Sequence, residues 1–364
     1  MEFVTGVREK ETLELSKVLA PESLDQEVLT DGSIYSIRNM GEIAFVILRK
    51  RDGLLQTVWE EGKTNLSISE LKEGDCIRVK GTVRAEERAP HGKEIRAEEI
   101  TILSSPAEPL PLAIDKWKLN TSLEAKLNIR SVSLRNVRER ARFRIQEGIV
   151  RGFREFLHEN GFTEIHTPKI GAKGAEGGAN VFKLSYFHKP AVLAQSPQFY
   201  KQMAMAAGFE RIFETGPVFR AEKSYTNKHS TEFSGFDLEF SYITSFKDVM
   251  KMEEELLTAG LKAVKENYGD QIKELFGQEV IVPTTPFPVV KLADLYKGLE
   301  EEFGYKVDES EKGDLTTEAE RLSYEWVKKH YGHEFLFITD YSAEKRAFYH
   351  MRDENGVPQG YDLI

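Results

Sequence analysis

The stretch that most restricts how this chain can fold is Pro217–Phe240. Two apolar runs, Val218-Phe219 and Phe236 to Ile243, flank a polar segment with turn chemistry at 223–229, which predicts an antiparallel hairpin with a long loop. Its chemistry is concentrated at the ends. Arg220 closes the first run, where a guanidinium can make bidentate, charge-assisted contacts to a phosphate. Glu222, two positions on and therefore on the same face of an extended strand, offers an acceptor to a ring amine. His229 stands in the loop, and Phe233 supplies a flat apolar face suited to stacking a base.

Phe219-Arg220-Ala221-Glu222, then His229 three residues after Thr226 and Phe233 four further on, resembles motif 2 of the class II aminoacyl-tRNA synthetases. That resemblance implies an ATP-binding hairpin. Arg220 would be the catalytic cation on the α-phosphate, Glu222 would face the adenine amino group, His229 would reach the γ-phosphate, and Phe233 would stack on adenine.

The chain of 364 residues has room for two or three domains and a large core. No run approaches the roughly eighteen apolar residues of a membrane span, and residues 1–6 lack the pattern of a signal peptide, so a cytoplasmic address is expected. The single cysteine, Cys76, excludes an internal disulfide and a thiolate zinc cluster, and is read as a buried strand position. A net charge of -10 argues against gripping nucleic acid by bulk electrostatics, so any such partner needs local patches. Arginines are dense between Arg130 and Arg154, where the pattern reads as the solvated face of an amphipathic helix.

From Gln26 to Leu103, five short strand-like runs alternate with Asp-Gly and His-Gly turns, and a short helix near Ser67 to Leu71 separates the third run from the fourth. That is the plan of an OB-fold, a small barrel whose open face commonly binds single-stranded nucleic acid. Its wording, Ile37 to Gly41, Phe45, Leu48-Arg49, Asp52-Gly53 and Gln56, resembles the anticodon-binding barrel of aspartyl-, asparaginyl- and lysyl-tRNA synthetases. The resemblance implies that Phe45 stacks an anticodon base, that Arg38 and Gln56 read base edges, and that Glu94 meets the last base. Read without the family, Phe45 could equally be core. The proline-rich stretch from Ser104 to Leu112 then marks a connector. The expected organisation is a barrel over 1–104, a linker over 105–131 and a catalytic domain over 132–364, together an α+β protein with an antiparallel catalytic sheet flanked by helices.

A long helix from Leu134 closes at Asn160-Gly161 and leads into a strand interrupted by Pro168. This resembles class II motif 1, which implies a homodimer built through that helix and the Pro168 strand. Further on, Gln198 and Lys201 lie three apart on one face of a helix opened by Pro197. A fixed cation with oriented polar groups is what a desolvated substrate carboxylate requires. Gln195-Ser196-Pro197-Gln198 with Lys201 resembles the aspartate pocket of aspartyl-tRNA synthetases. It implies that Lys201 meets the side-chain carboxylate, that Gln195, Ser196, Gln198 and Asp237 line the pocket, and that Glu176 in its glycine-rich turn holds the ammonium.

The archaeal-type aspartyl-tRNA synthetases are the nearest form of the resemblance. In them a strand like Tyr361-Asp362-Leu363 carries a magnesium ligand, here Asp362, ahead of a glutamate and of motif 3. Neither follows Ile364, and a piece of a longer gene product is expected, one that would be inactive by itself. The implied activity is ligation of aspartate to tRNA(Asp), with or without tRNA(Asn) as a further substrate, using ATP and Mg2+. The alternatives are an asparaginyl enzyme or related paralogue, and a non-catalytic tRNA-binding fragment.

Overall fold

Alternation of apolar and polar residues sets the first part of the chain. In this computed structural model, which describes residues 11–175, 180–222 and 230–364, a short helix α1 (Leu15–Val18) precedes five strands. They are β1 (Glu27–Asn39), β2 (Ile43–Arg49), β3 (Leu54–Glu60), β4 (Cys76–Ala85) and β5 (Lys93–Ser104), closed into a barrel in the order β1-β2-β3-β5-β4. Inward positions such as Ile34, Val46, Leu48, Leu55, Ile77, Val79 and Ile95 are fully buried and fill the interior. The helix expected between the third and fourth strands is a single 3-10 turn, Ile68–Glu70, closed by a Ser67 capping box. Gly81 sits beside a register shift between β4 and β5, where a Cβ would lie 2.0 Å from the Arg96 carbonyl oxygen, so only glycine fits.

Cys76 corrects one expectation. It begins β4 but is exposed, because the alternation that buries Ile77 and Val79 turns Cys76 outward.

Past the barrel come α2 (Leu123–Asn128), α3 (Arg130–Ser133) and α4 (Val137–Glu159). The chain divides into two compact units, 1–143 and 144–364. In the first, Asn136 is fully buried and donates to the carbonyl oxygens of Ile114 (2.8 Å) and Lys116 (2.7 Å), which anchors the connector to the start of α4. Tyr35 of β1 donates to the same Ile114 oxygen at 2.6 Å.

The second unit continues with β6 (Thr163–Glu164), β7 (Ile170–Gly171), β8 (Lys183–Tyr186), β9 (Lys189–Leu193) and α5 (Gln198–Ala206). The hairpin follows as β10 (Arg211–Phe219) and β11 (Glu232–Phe240), antiparallel in register from Arg211↔Phe240 to Phe219↔Glu232. One face of this sheet is core: Phe213, Phe236, Leu238 and Phe240 pack with Phe153, Leu157 and Phe162. Then come α6 (Phe246–Phe276), β12 (Val289–Lys291), α7 (Leu292–Phe303), α8 (Thr317–Tyr331), β13 (Phe337–Thr339) and β14 (Tyr361–Leu363). Helices α4 and α6 approach closely at Gly260, where a Cβ would meet the Phe153 ring at 2.2 Å. Residues 348–352 contribute the isolated bridge Arg352↔Pro358. Among the described residues no helix is long and apolar enough to cross a membrane.

Candidate active site

Period-two alternation in β11 assembles the site. Phe236, Leu238 and Phe240 face the core, so Phe233, Gly235, Asp237 and Glu239 project from the opposite face. Over that face stands Lys201 of α5, whose side chain is only 8% exposed. Its Nζ lies 3.1 Å from Asp237 Oδ1 and 3.3 Å from Glu239 Oε2. A buried ammonium needs such partners, because desolvation would otherwise cost several kcal/mol. The helix is aimed by its own start: Pro197 is the N-cap residue, and Ser196 Oγ accepts from the Gln198 N–H at 3.2 Å. Gln195 and Ser196 are buried immediately before it, and Gln198 is half-buried on the Lys201 side.

At the other end of β11, the Arg220 guanidinium lies 5.7 Å from the centre of the Phe233 ring, itself 39% exposed. Backbone bonds stitch this end to its neighbours, from Phe219 N–H to Ala194 O (2.9 Å), Arg220 N–H to Thr231 O (3.0 Å) and Ala221 N–H to Asn180 O (2.9 Å). The strand stops at Phe219, so Arg220 and Glu222 are not strand neighbours on one face as the spacing suggested. Glu222 is half-buried in the bend that follows. Phe233 and Asp237 are four residues apart on one face, roughly 14 Å at about 3.4 Å per residue. Glu176 and His229 lie outside the described residues.

Two groups at the site were not singled out from the sequence. Glu239 is one, although its spacing of two from Asp237 was a usable signal. The other is Glu214, 3% exposed, which accepts from the Thr167 N–H and hydroxyl (2.7 Å each) and from Lys169 Nζ (2.9 Å). Burial pushes its carboxyl up, but these donors outweigh that and hold it below the usual carboxylate range. Glu214 thereby fixes the Pro168 segment to β10.

A roomier cavity of about 740 Å3 opens on the other flank of α5, lined by Pro168, Phe199, Tyr200 and Met203. Its lining is mostly apolar, and it shares only Ser196 with the charged site, so the chemistry belongs to the β11 face.

Asp362 of β14 accepts a hydrogen bond from Arg346, which also covers the Tyr341 ring at 3.7 Å. Among the described residues no three His, Cys, Asp or Glu side chains gather as metal ligands. The Asp362 carboxylate is a hard oxygen donor of the kind magnesium takes, and no step below is routed through an ion.

In the barrel, strand register puts the four anticodon candidates on one outer face. Arg38 pairs with Phe45 across β1 and β2, and Gln56 with Glu94 across β3 and β5. Arg38 is exposed and Phe45 half-buried. Gln56 Nε2 donates to Glu94 Oε2 at 2.7 Å, and Arg96 pairs with Glu94 Oε1 at 2.7 Å. With 1% exposure, Glu94 orients Gln56 and Arg96 from beneath.

A closed five-stranded barrel of this order is an OB-fold, and comparison with known proteins agrees. The family described as tRNA synthetases class II (D, K and N) matches residues 122–364, and the OB-fold nucleic acid binding domain matches 28–103. The chain belongs to the class II tRNA synthetases of this group, and is thus a member of a ligase family. It is 39% identical over 341 residues to the aspartate–tRNA(Asp/Asn) ligase of Thermus thermophilus, covering 93% of this chain and 78% of that protein. Among solved structures, it is similar to the asparaginyl-tRNA synthetase from Pyrococcus horikoshii complexed with asparaginyl-adenylate. That match has a TM-score of 0.82 and 28% identity over 97% of this chain and 80% of the other. The aspartyl tRNA synthetase from Entamoeba histolytica is similar too, with a TM-score of 0.81 and 27% identity over 97% and 75%.

Proposed function

We propose that this protein is an aspartate–tRNA ligase that activates L-aspartate with ATP and transfers it to tRNA(Asp), and also to tRNA(Asn). The observation that carries the reading is the pair of cations over one face of β11, Lys201 held by Asp237 and Glu239 and Arg220 beside Phe233. The strand length between Phe233 and Asp237, roughly 14 Å at about 3.4 Å per residue, suits one aspartyl-adenylate laid along it. An aspartate α-carboxylate oxygen attacks the α-phosphorus of ATP, the bond to the bridging oxygen breaks, and pyrophosphate leaves. The terminal ribose hydroxyl of the tRNA then attacks the acyl carbon and AMP departs.

The α-carboxylate is already a nucleophile, so the first step needs positioning and charge neutralisation rather than a base. Arg220 neutralises charge building on the α-phosphate, Phe233 holds the adenine face, and Glu222 accepts from its amino group. His229 takes the γ-phosphate end. Lys201 receives the substrate side-chain carboxylate, with Gln195, Ser196, Gln198 and Asp237 around it and Glu176 at the ammonium. Family members use ATP with magnesium; when bound, that ion would neutralise phosphate charge, with Asp362 the ligand this chain offers.

Arg38, Phe45, Gln56 and Glu94 form the anticodon-reading face. A homodimer through α4 and the Pro168 segment, as the motif 1 resemblance implies, completes the reading. The relatives named for both tRNA(Asp) and tRNA(Asn) support the double tRNA range.

The test is amino-acid-dependent ATP–pyrophosphate exchange with aspartate and with asparagine, followed by charging of both purified tRNAs. Exchange driven by aspartate, with both tRNAs charged, supports the reading. Exchange driven by asparagine alone turns it into the asparaginyl alternative.

A further inference from the structure

Cross-strand pairing puts a third carboxylate on the face that carries Lys201. Glu214 of β10 stands directly opposite Asp237 of β11, and directly opposed residues of an antiparallel pair share a face, with Cβ atoms about 5 Å apart. Like charges at that spacing repel, so each needs its own counter-ion. Each has one. Lys201 Nζ lies 3.1 Å from Asp237 Oδ1, and Lys169 Nζ lies 2.9 Å from Glu214 Oε1.

Two glycines make room for these pairs. Gly216 and Gly235 are opposed to one another and are the next pair along the same face. A Cβ on Gly216 would lie 3.3 Å from Lys169 Cε and 3.5 Å from its Nζ, so the Lys169 chain crosses β10 over that bare spot to reach Glu214. A Cβ on Gly235 would lie 3.1 Å from Asp237 Oδ2 and would crowd the carboxylate that holds Lys201. Glu214 is 3% exposed, whereas Asp237 at 27% and Glu239 at 29% are partly open. Without Lys169, an ionised Glu214 would be a poorly screened negative charge behind the site, felt by any anion bound in front of Asp237.

We propose that Lys169 is a positioning residue for the selection of aspartate: paired with Glu214, it cancels the charge facing Asp237, so that Lys201 stays available to the side-chain carboxylate of the substrate. Lys169 acts through Glu214 and is not itself a substrate contact. The proposal rests on the aspartate reading of the site given above. It differs in sign from a plain structural clamp. Removing either partner loosens a clamp, whereas only removal of the lysine uncovers a charge.

The test is aspartate-dependent ATP–pyrophosphate exchange by Lys169→Met, Glu214→Gln, the double variant and Lys169→Arg. Lys169→Met should raise the KM for aspartate about tenfold, the effect of one uncompensated charge roughly 8 Å from a bound carboxylate, and leave kcat, the KM for ATP and the inhibition constant of the neutral amide asparagine within about twofold. Glu214→Gln should not raise the aspartate KM, and combined with Lys169→Met it should bring that KM back to within about twofold of the parent. Lys169→Arg keeps the charge and should behave as the parent. An aspartate KM raised equally by both single substitutions, a double variant worse than either, or equal losses for aspartate and asparagine would overturn the proposal and leave the pair a clamp alone. Thermal unfolding without ligands gives a readout separate from activity. Asp237→Asn should lower Tm less in the Lys169→Met background than in the parent, because it removes the carboxylate that the uncovered Glu214 repels; additive losses would contradict the facing charge. If the parent shows no aspartate-dependent exchange, the aspartate reading falls, while the unfolding cycle still decides whether Lys169 shields Asp237.

Discussion

The two ends of the β11 face are built in opposite ways. At the Lys201 end, a buried ammonium is gripped by two carboxylates from one strand, on a helix whose first turn is set by buried residues. At the Arg220 end, the cation stands just past the end of β10 beside a partly exposed ring. The difference suits the ligands. A small anionic side chain can be told from its neutral amide only by a rigid, desolvated charge, whereas a nucleotide is held by contacts spread over phosphates and a base. On the proposed function, selectivity belongs to the buried end and rate to the open one.

The sharpest way to break that contrast is Arg220→Ala, which should lower the rate of exchange by about a hundred- to a thousandfold, as loss of a group stabilising transition-state charge does. Aspartate binding, followed by calorimetry, should be nearly unaffected; a parallel loss of aspartate affinity would erase the distinction between the ends. Next in size is Lys201→Leu. Removing one partner of a buried ion pair leaves Asp237 and Glu239 uncompensated, so the KM for aspartate should rise about a hundredfold while that for ATP moves little. Circular dichroism would report whether the fold survives. Phe233→Ala should raise the KM for ATP by about tenfold, the loss of one stacked ring, and leave the aspartate KM in place.

How far the sequence reveals this arrangement depends on the range of the signal. The hairpin was legible because apolar alternation is local, and the buried Leu292, Leu295, Tyr296 and Leu299 of α7 stand at equally local helical spacing. Lys201 and Asp237 could be named only through family wording, since their separation of 36 positions in the chain conceals a 3.1 Å ion pair. Arg220 and Glu222 misled because spacing of two implies a shared face only while a strand continues, and β10 ends at Phe219. The Glu214 clamp was invisible for a similar reason: its partners Thr167 and Lys169 sit 47 and 45 residues back in the chain, beside a proline that hides the strand pattern.

That clamp yields the smallest expected effect. The folded-state pKa of Glu214 lies below its unfolded value, so its contribution to stability is full above about pH 5 and is lost as pH falls through the lowered folded value. Glu214→Gln should cost about 2 kcal/mol at neutral pH and make thermal stability less dependent on pH on the acid side. An acid limb as steep as the parent's would show that the carboxylate is not held ionised by Thr167 and Lys169.

The most direct measurement is calorimetric binding of three ligands, aspartate, ATP and the stable analogue aspartyl-sulfamoyl-adenosine, to the parent, Lys201→Leu and Arg220→Ala proteins. The account predicts that Lys201→Leu weakens aspartate and the analogue but not ATP, that Arg220→Ala weakens ATP and the analogue but not aspartate, and that each leaves the other's ligand intact. If the analogue binds no more tightly than ATP alone, or one substitution abolishes all three interactions in a folded protein while the other affects none, the two cations do not share a ligand.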